Sequence, residues 1–400
     1  MRTIAIVGMS LAGLRAAETL RREGYDGRIV AVGAEPHLPY DRPPLSKELL
    51  AGSTEPEDLA LRPQGYDDLD LDWRLDARAV ALDVAGRRVE LHDGERVAYD
   101  GLVIATGSSA RRLPEQPALG GLFTLRTLDD ALALREVLAS GPRVVVIGAG
   151  FIGAEVAATC RGRGLDVTVL EALPQPMVRG LGPRLGEVIA RLHRDHGVDL
   201  RTGVTVDAVE GDGGAVTGVR LGDGDVVPAD VVLVGIGAAP ETAWLEGSGL
   251  PLDDGVVCDA TGLVAPGIVA AGDVARWPNP LFDGRPMRLE HWTNAVEMGV
   301  HAATRLLAGD AGHGLEFAPV PFVWSDQYDR KIQVVGHLAD ATDVHVAHGT
   351  LEEYRFVALF GRAGRLVGAL GFNRARQVMQ YRRMIAERAS FADAVAAADG

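Results

Sequence analysis

Sulfur chemistry is almost missing from this chain. Cys160 and Cys258 are its only cysteines. They lie far apart and match neither a C-x-x-C pair nor a zinc-ligand spacing. That excludes a disulfide framework. Each reads as a small packing residue in a reducing cytoplasm, with a lone redox role as the other reading. No apolar run is long enough to cross a bilayer. The first expected strand begins almost at Met1, which leaves no room for a signal or transit segment. Positive charge is short too. A net charge of −15 disfavours a broad nucleic-acid surface, while a local basic patch remains compatible with it. The histidines show no metal spacing. No low-complexity segment or long linker interrupts the 400 residues, a length that suits roughly two to four domains.

What the chain has in quantity is glycine, alanine and short aliphatic runs, the signature of buried parallel strands. "TIAIVG" (3–8) is such a run. "LAGLRAAETLRREG" follows, with Leu11, Leu14, Ala17 and Leu20 at helical spacing. "GRIVAVGAE" (27–35) reads as the next strand, which completes a βαβ unit. The pattern returns as "RVVVIG" (143–148), a helix to about Arg163 and "LDVTVLE" (165–171). Each unit is followed by a meander of strand-like runs and turns, closed by "LVIATG" or "VVLVGIG". "GIVAAGDVA" (267–275) is a further buried strand ending in Gly-Asp. From about Phe317 the character changes to an α+β pattern with one final helix.

Both units carry a glycine motif at the strand-to-helix turn. In G-x-G-x-x-G the first glycine makes the turn, the second admits a pyrophosphate, and the third lets helix and strand pack. The helix N-terminus adds partial positive charge and free N–H groups. The second copy is complete: Gly148, Gly150 and Gly153, with Glu171 at the end of the next strand. An acid there holds both ribose hydroxyls and opposes a 2′-phosphate, which favours NAD(H). "ALPQPM" after it supplies no arginine for that phosphate. The first copy reads Gly8, Ser10, Gly13. Serine either crowds the pyrophosphate or donates a hydrogen bond to it, and a turn that binds nothing is the plainer alternative. Its acid is displaced to Glu35, with Gly33 at the strand end.

Five further stretches occur in order: "PHLPYDRPPLSKELL" (36–50), "LVIATGS" (102–108), "VGIGAAPETAWL" (234–245), "GIVAAGDVA" (267–275) and "RLEHWTNAVEMGVHAA" (288–303). With the two glycine motifs and "FVWSDQYDRKIQVVG" (322–336), the whole chain resembles the FAD-dependent, NADH-linked ferredoxin reductases of bacterial oxygenase systems. "PPLSK", "EHWTNA" and "WSDQYDRKIQ" are the stretches most specific to that family. The resemblance implies an α/β fold of two Rossmann-like dinucleotide-binding domains, glutathione-reductase-like, plus a C-terminal α+β domain. The FAD domain would be discontinuous (1–112 and 240–316), the NAD domain 113–239, and the C-terminal interface domain 317–400.

The resemblance also implies roles, residue by residue. Gly8, Ser10, Ala12 and Gly13 would cradle the FAD pyrophosphate, with Glu35 near the adenosine ribose and the backbone of Val80 meeting the adenine. Arg42 and Lys47 would approach the cofactor, Lys47 on the flavin side. Ala105, Thr106 and Gly107 would form the crossing to the NAD domain, where Arg126 makes a second contact. Asp273 would bind the ribityl chain and Trp292 the flavin's pyrimidine end, with His291 inside the same motif. Gly148, Gly150, Phe151, Ile152, Gly153, Glu155, Glu171, Gly235 and Gly237 would serve NADH, with Glu290 as a further candidate. Trp324 is either ordinary core or a residue near the flavin and the electron exit. Asp273 as a mere N-cap and Lys47 as a surface lysine are the plainer alternatives.

On this reading NADH delivers hydride to the flavin, and electrons pass singly to a 2Fe–2S ferredoxin. Lys47 and Glu155 orient the rings or tune the flavin, and no metal is required. A basic landing patch is expected for an acidic ferredoxin. Arg374, Arg376, Arg382, Arg383 and Arg388 are candidates on the final helix, with Arg330 and Lys331 before them. An ordinary solvated face is the other reading of these arginines. A disulfide reductase would need a cysteine pair beside the flavin, which the chain lacks. An NADH oxidase or quinone reductase, and a redox sensor of the apoptosis-inducing-factor type, stay open. Neither nucleic acid nor a membrane is an expected partner, and the chain is read as a monomer or homodimer.

Overall fold

The aliphatic runs form the central strands of two sheets in a computed structural model that describes residues 1–398. The chain divides into two units. The first takes Met1–Asp41, Asp58–Ser109 and Ala239–Phe322; the second takes Arg42–Glu57, Ala110–Ala238 and Val323–Gly400. Residues 399 and 400 of the expected C-terminal domain lie outside the described residues. The helices are α1 (Leu11–Arg22), α2 (Glu48–Ala51), α3 (Leu128–Leu138), α4 (Phe151–Gly162), α5 (Val178–Asp195), α6 (Trp292–Ala308), α7 (Ala375–Ala386) and α8 (Phe391–Ala396). No helix among the described residues is long and apolar enough to cross a membrane.

In the first unit, Thr3–Val7 pairs in parallel with Arg28–Val32 on one side and Gly101–Ile104 on the other. Leu71–Arg74 extends the sheet beyond Arg28–Val32. Ile268–Ala270 and Leu263–Ala265 extend it at the other edge. Ile4, Ala5 and Ile6 are fully buried, as a strand covered on both faces requires. The expected meander is there: Ala79–Asp83, Arg88–Leu91 and Arg96–Ala98 are antiparallel neighbours. It hands over to Gly101–Ile104, the strand of "LVIATG".

The second unit repeats the scheme. Val144–Ile147 lies between Val167–Glu171 and Val231–Val234, all parallel. Its meander is Val206–Asp212, Ala215–Leu221 and Val226–Pro228. The C-terminal part of this unit is a five-stranded sheet in the order Phe322–Gln327, Arg330–Gly336, Arg365–Phe372, Arg355–Arg362, Asp343–Thr350. Helix α5 lays Leu181, Leu185, Val188, Ile189 and Leu192 against Ile332, Phe356, Phe360, Leu370 and Phe372 of that sheet. These positions recur at helical spacing, so one face of α5 is apolar. The chain ends in two helices where the sequence suggests one. Arg388 takes a left-handed φ of 57°, which stops α7. Ser390 then caps α8 by accepting from the Asp393 N–H.

Candidate active site

The two glycine turns have the same geometry, and the structure shows why one tolerates serine. Gly8 has φ +104° and Gly148 φ +100°, the left-handed region that suits glycine. A Cβ at Gly8 would sit 2.1 Å from the Ala105 carbonyl oxygen, and one at Gly148 would sit 2.4 Å from that of Gly235. The third glycines are equally forced. A Cβ at Gly13 would lie 2.0 Å from the Gly8 oxygen, and one at Gly153 2.1 Å from the Gly148 oxygen. The middle position differs. Ser10 has φ −96° and Gly150 φ −75°, open to any residue. A Cβ at Gly150 would meet no protein atom within 4 Å. Nothing in the protein therefore asks for glycine there, and the turn is open to an approaching group.

In the first unit the turn is one wall of a cradle. Ala12 faces Gly272, whose Cβ would come within 3.0 Å of the Ala12 Cβ, and Gly299 of α6, whose Cβ would come within 2.4 Å of the Ala12 oxygen. Side chains at those glycines would fill the space beside the α1 N-terminus, so the cradle fits a pyrophosphate. Asp273 follows Gly272 and accepts from the Ser108 hydroxyl at 3.0 Å. His291 is the N-cap of α6. Its Nδ1 is buried without a hydrogen-bond partner. Burial pushes this imidazole down to about 4, against the opposing pull of Asp273. Trp292 donates its indole N–H to Asp41 at 2.8 Å. Val80 is the irregular residue between Ala79 and Ala81 of its ladder, which takes it out of regular pairing and leaves its side chain exposed. Glu35 accepts from the Tyr40 hydroxyl. Thr106 donates to the Glu241 carbonyl at 2.8 Å, and the Glu241 N–H donates to the Gly107 carbonyl. Glu290 is exposed and paired with Arg288.

In the second unit the chemistry gathers on Glu155. Helix α4 is buried nearly all round, at Gly153, Ala154, Val156, Ala157, Ala158 and Cys160 as well as at Glu155 itself. A charge so placed needs partners, and it has three. Lys47 Nζ lies 2.9 Å from Oε2, Ser46 donates to the same oxygen at 2.5 Å, and Ser325 donates to Oε1 at 2.8 Å. Glu155 is 4% exposed and Lys47 12%, so this is a desolvated ion pair. The turn Pro43–Ser46 and the short α2 aim Ser46 and Lys47, anchored by the buried Leu45, Leu49 and Leu50. Arg42 donates to the carbonyl of Arg126 at 2.6 Å, which brings two expected cofactor residues together.

Glu171 ends its strand and is buried at 9% exposure. One carboxylate oxygen accepts the Ala149 N–H at 2.8 Å, the other the Leu173 N–H at 2.8 Å. The acid is thus tied to the glycine turn itself, with lone pairs left for a diol. The Gly235 N–H donates to the Ile147 carbonyl, and Gly237 has φ +103°. Phe151 is half-buried, while Ile152 and Ile236 are exposed apolar side chains. Ile236, Ser46, Ser325 and Gln327 have no assigned role in the sequence reading, although "PPLSK" and "WSDQ" contain three of them. Trp324 is half-buried and, by strand alternation, turned from Ser325 to the other face.

The expected landing patch is partly neutralised. Arg330 pairs with Asp329, Lys331 with Asp326 and Arg383 with Glu387. Arg376 and Arg388 are exposed, and Arg374 and Arg382 are half-buried. Cys160 and Cys258 are buried, and burial pushes both thiols up to about 12, which keeps them protonated and unreactive. Among the described residues no group of three or more His, Cys, Asp or Glu side chains is placed to hold a metal.

Comparison with known proteins adds the following. A family model described as pyridine nucleotide-disulphide oxidoreductase matches residues 2–299, and one described as reductase C-terminal matches residues 322–400. Rhodocoxin reductase from Rhodococcus erythropolis is 40% identical over 388 residues, 96% of this chain and 89% of that protein. Putidaredoxin reductase, in its covalent complex with putidaredoxin, superposes with a TM-score of 0.91 at 34% identity, over 97% of this chain and 93% of its own. A ferredoxin reductase from Rhodopseudomonas palustris gives 0.91 at 37% identity, over 97% and 96%.

Proposed function

The chain belongs to the pyridine nucleotide-disulphide oxidoreductase family, and from that premise we propose that it is an FAD-containing, NADH-dependent ferredoxin reductase serving an oxygenase. The observation that carries this reading is the pair of glycine turns. Each is closed by protein at its first and third positions, the second copy is open at its second, and an acid, Glu171, is tied to that copy. The chemistry FAD supplies when bound is acceptance of hydride from NADH and release of single electrons.

Gly8, Ser10, Ala12 and Gly13, with the positive end of α1, would hold the FAD pyrophosphate. Asp273, Glu35, Val80, His291 and Trp292 are its further holders on this reading. Gly148, Gly150 and Gly153 do the same for NADH at α4, and Glu171 takes the ribose hydroxyls and turns away a 2′-phosphate. Lys47 and Glu155 orient the reacting rings. Their mutual pairing holds both side chains in one geometry in a nearly dry place. We keep the division into 1–112 with 240–316, 113–239 and 317–400. The breaks of the first unit after Ser109, before Ala239 and after Phe322 fall near its bounds, while Arg42–Glu57 groups with the second unit.

The partner on this reading is an acidic 2Fe–2S ferredoxin, and the site is cytoplasmic, where NADH is available. Docking falls to Arg374, Arg376, Arg382 and Arg383 of α7 and its start, with Arg330 and Lys331; of these, Arg330, Lys331 and Arg383 each have an acid beside them that a ferredoxin must displace. The test is a panel of 2Fe–2S ferredoxins assayed for NADH-dependent reduction at rising ionic strength. One or more should be reduced, and the rate should fall with salt. Failure with the whole panel, alongside rapid quinone turnover, would overturn the assignment. A rate indifferent to salt would remove the electrostatic dock.

A further inference from the structure

Three buried polar side chains, Ser325 and Gln327 at 0% exposure and His193 at 2%, and the half-buried Tyr328 have no part in the reading above. All lie in the second unit. Their connections can be given a direction from chemistry alone. Glu155 faces a lysine ammonium, so it is a carboxylate and only accepts. The single Ser325 proton therefore goes to Glu155 Oε1, at 2.8 Å. The Ser325 oxygen can then only accept, so the atom of Gln327 that faces it at 3.1 Å is the amide nitrogen. That leaves Gln327 Oε1 as an acceptor, and it has no other partner; nor has His193 Nε2. The two side chains interact, though more loosely than a formed hydrogen bond. With an acceptor nearest Nε2, the consistent tautomer carries its proton there, and Nδ1 then accepts from the Tyr328 hydroxyl at 2.8 Å.

We propose that Tyr328, His193, Gln327 and Ser325 form a one-way chain of donors that positions the Glu155 carboxylate, and through it Lys47, for the hydride step. The proposal rests on the placing of Glu155 at the reacting rings. Three formed bonds and the looser His193–Gln327 approach all point toward the carboxylate, so the links polarise one another in the same sense. The surroundings keep the direction fixed. Burial pushes His193 down to about 4, so near neutral pH the ring is neutral and holds one proton. Tyr328 is itself held: its ring stacks on His196 at 3.7 Å and 11°. His196 in turn is fixed by its Nδ1 contact with the Leu192 carbonyl. These residues are positioning residues; none is offered as touching substrate.

The experiment has two arms on the FAD-loaded enzyme. In the first, nitrogen-15 histidine spectra read the His193 tautomer, assigned by difference from His193→Asn. Nε2–H is expected, with the preference lost in Gln327→Met. The Nδ1–H tautomer in the unaltered protein would reverse the chain and overturn the proposal. This arm does not depend on the function assigned above. The second arm follows the rate of FAD reduction by NADH. Ser325→Ala, which removes a bond to a charged acceptor, should slow it about tenfold with little change in NADH affinity. Tyr328→Phe should slow it about threefold. The double variant should be no slower than Ser325→Ala alone, because the chain is already cut. Multiplying effects would mean independent packing defects and sink the idea. An unaltered enzyme that NADH does not reduce would refute the reductase reading while leaving the tautomer result to stand.

Discussion

Replacing Gly153 with alanine puts a methyl carbon 2.1 Å from the Gly148 carbonyl oxygen, roughly 1.4 Å inside an ordinary contact of about 3.5 Å. Backbone oxygen cannot swing aside, so α4 must move off its strand. Forced overpacking of this kind costs about 1–3 kcal/mol, and it falls on the turn that receives the pyrophosphate. The upper figure corresponds to about a hundredfold weaker NADH binding. The first unit is untouched by this change, so the purified protein should keep its FAD. Gly13→Ala makes the same collision, 2.0 Å from the Gly8 oxygen, in the other unit. That variant should lose FAD instead. Ser10→Gly is the control: its φ of −96° suits either residue, and FAD content should stay unchanged. Flavin absorbance per polypeptide and the KM for NADH read all three. FAD lost from Gly153→Ala, or an FAD-replete Gly13→Ala with a raised KM for NADH, would exchange the owners of the two turns and refute the assignment.

Three other outcomes follow from the same geometry. Glu171→Ala should raise the KM for NADH at least tenfold and narrow the discrimination against NADPH, since the carboxylate that opposes a 2′-phosphate is gone; unchanged values for both would remove Glu171 from the ribose. Lys47→Met leaves a carboxylate at 4% exposure without its cation, a loss of about 3–5 kcal/mol in chemical denaturation. Adding Glu155→Gln should restore much of it, and simple additivity of the two would argue against a coupled pair. His193 is held neutral by burial, with a folded value of about 4 against 6.5 when exposed. Between those values the unfolded chain takes up a proton that the folded chain refuses, so stability drops as pH falls through that window. The drop is on the order of 3 kcal/mol from this group, and His193→Phe should remove that share in denaturation curves recorded between pH 7 and pH 4, leaving the share of His291, which burial holds equally low.

What was legible in the chain was what repeats locally. Two βαβ starts and their meanders stand out because Val144–Ile147 and Thr3–Val7 are short aliphatic runs followed at once by glycine turns. Glu171 was legible too, since its distance from Gly148 follows from one helix and one strand. The partners of Glu155 were not. Ser46 stands 109 residues away in the chain and Ser325 170, so no periodicity links them. Gln327 and His193 meet only because α5 packs on the C-terminal sheet. The break at Arg388 was equally hidden, because a left-handed arginine carries no compositional mark.

The serine in "GMSLAG" shows where pattern matching on glycine misleads. A motif scores three glycines alike, but the backbone asks for only two of them. Gly8 and Gly13 are required by protein contacts of 2.1 and 2.0 Å, and those contacts exist before any ligand arrives. At the middle position of the second turn no protein contact asks for glycine, and on the proposed reading a ligand needs only a short side chain at ordinary φ there. Ser10 keeps both conditions, at the head of a helix that it does not itself cap. On the proposed reading the first turn is therefore as able to receive a phosphate as the second. The acid of the second turn is fixed in place: Glu171 is pinned to its own turn by the Ala149 N–H. An acid fixed to the turn itself can reject a ribose phosphate each time a dinucleotide enters. That property matters for a substrate that comes and goes, and much less for a cofactor that stays.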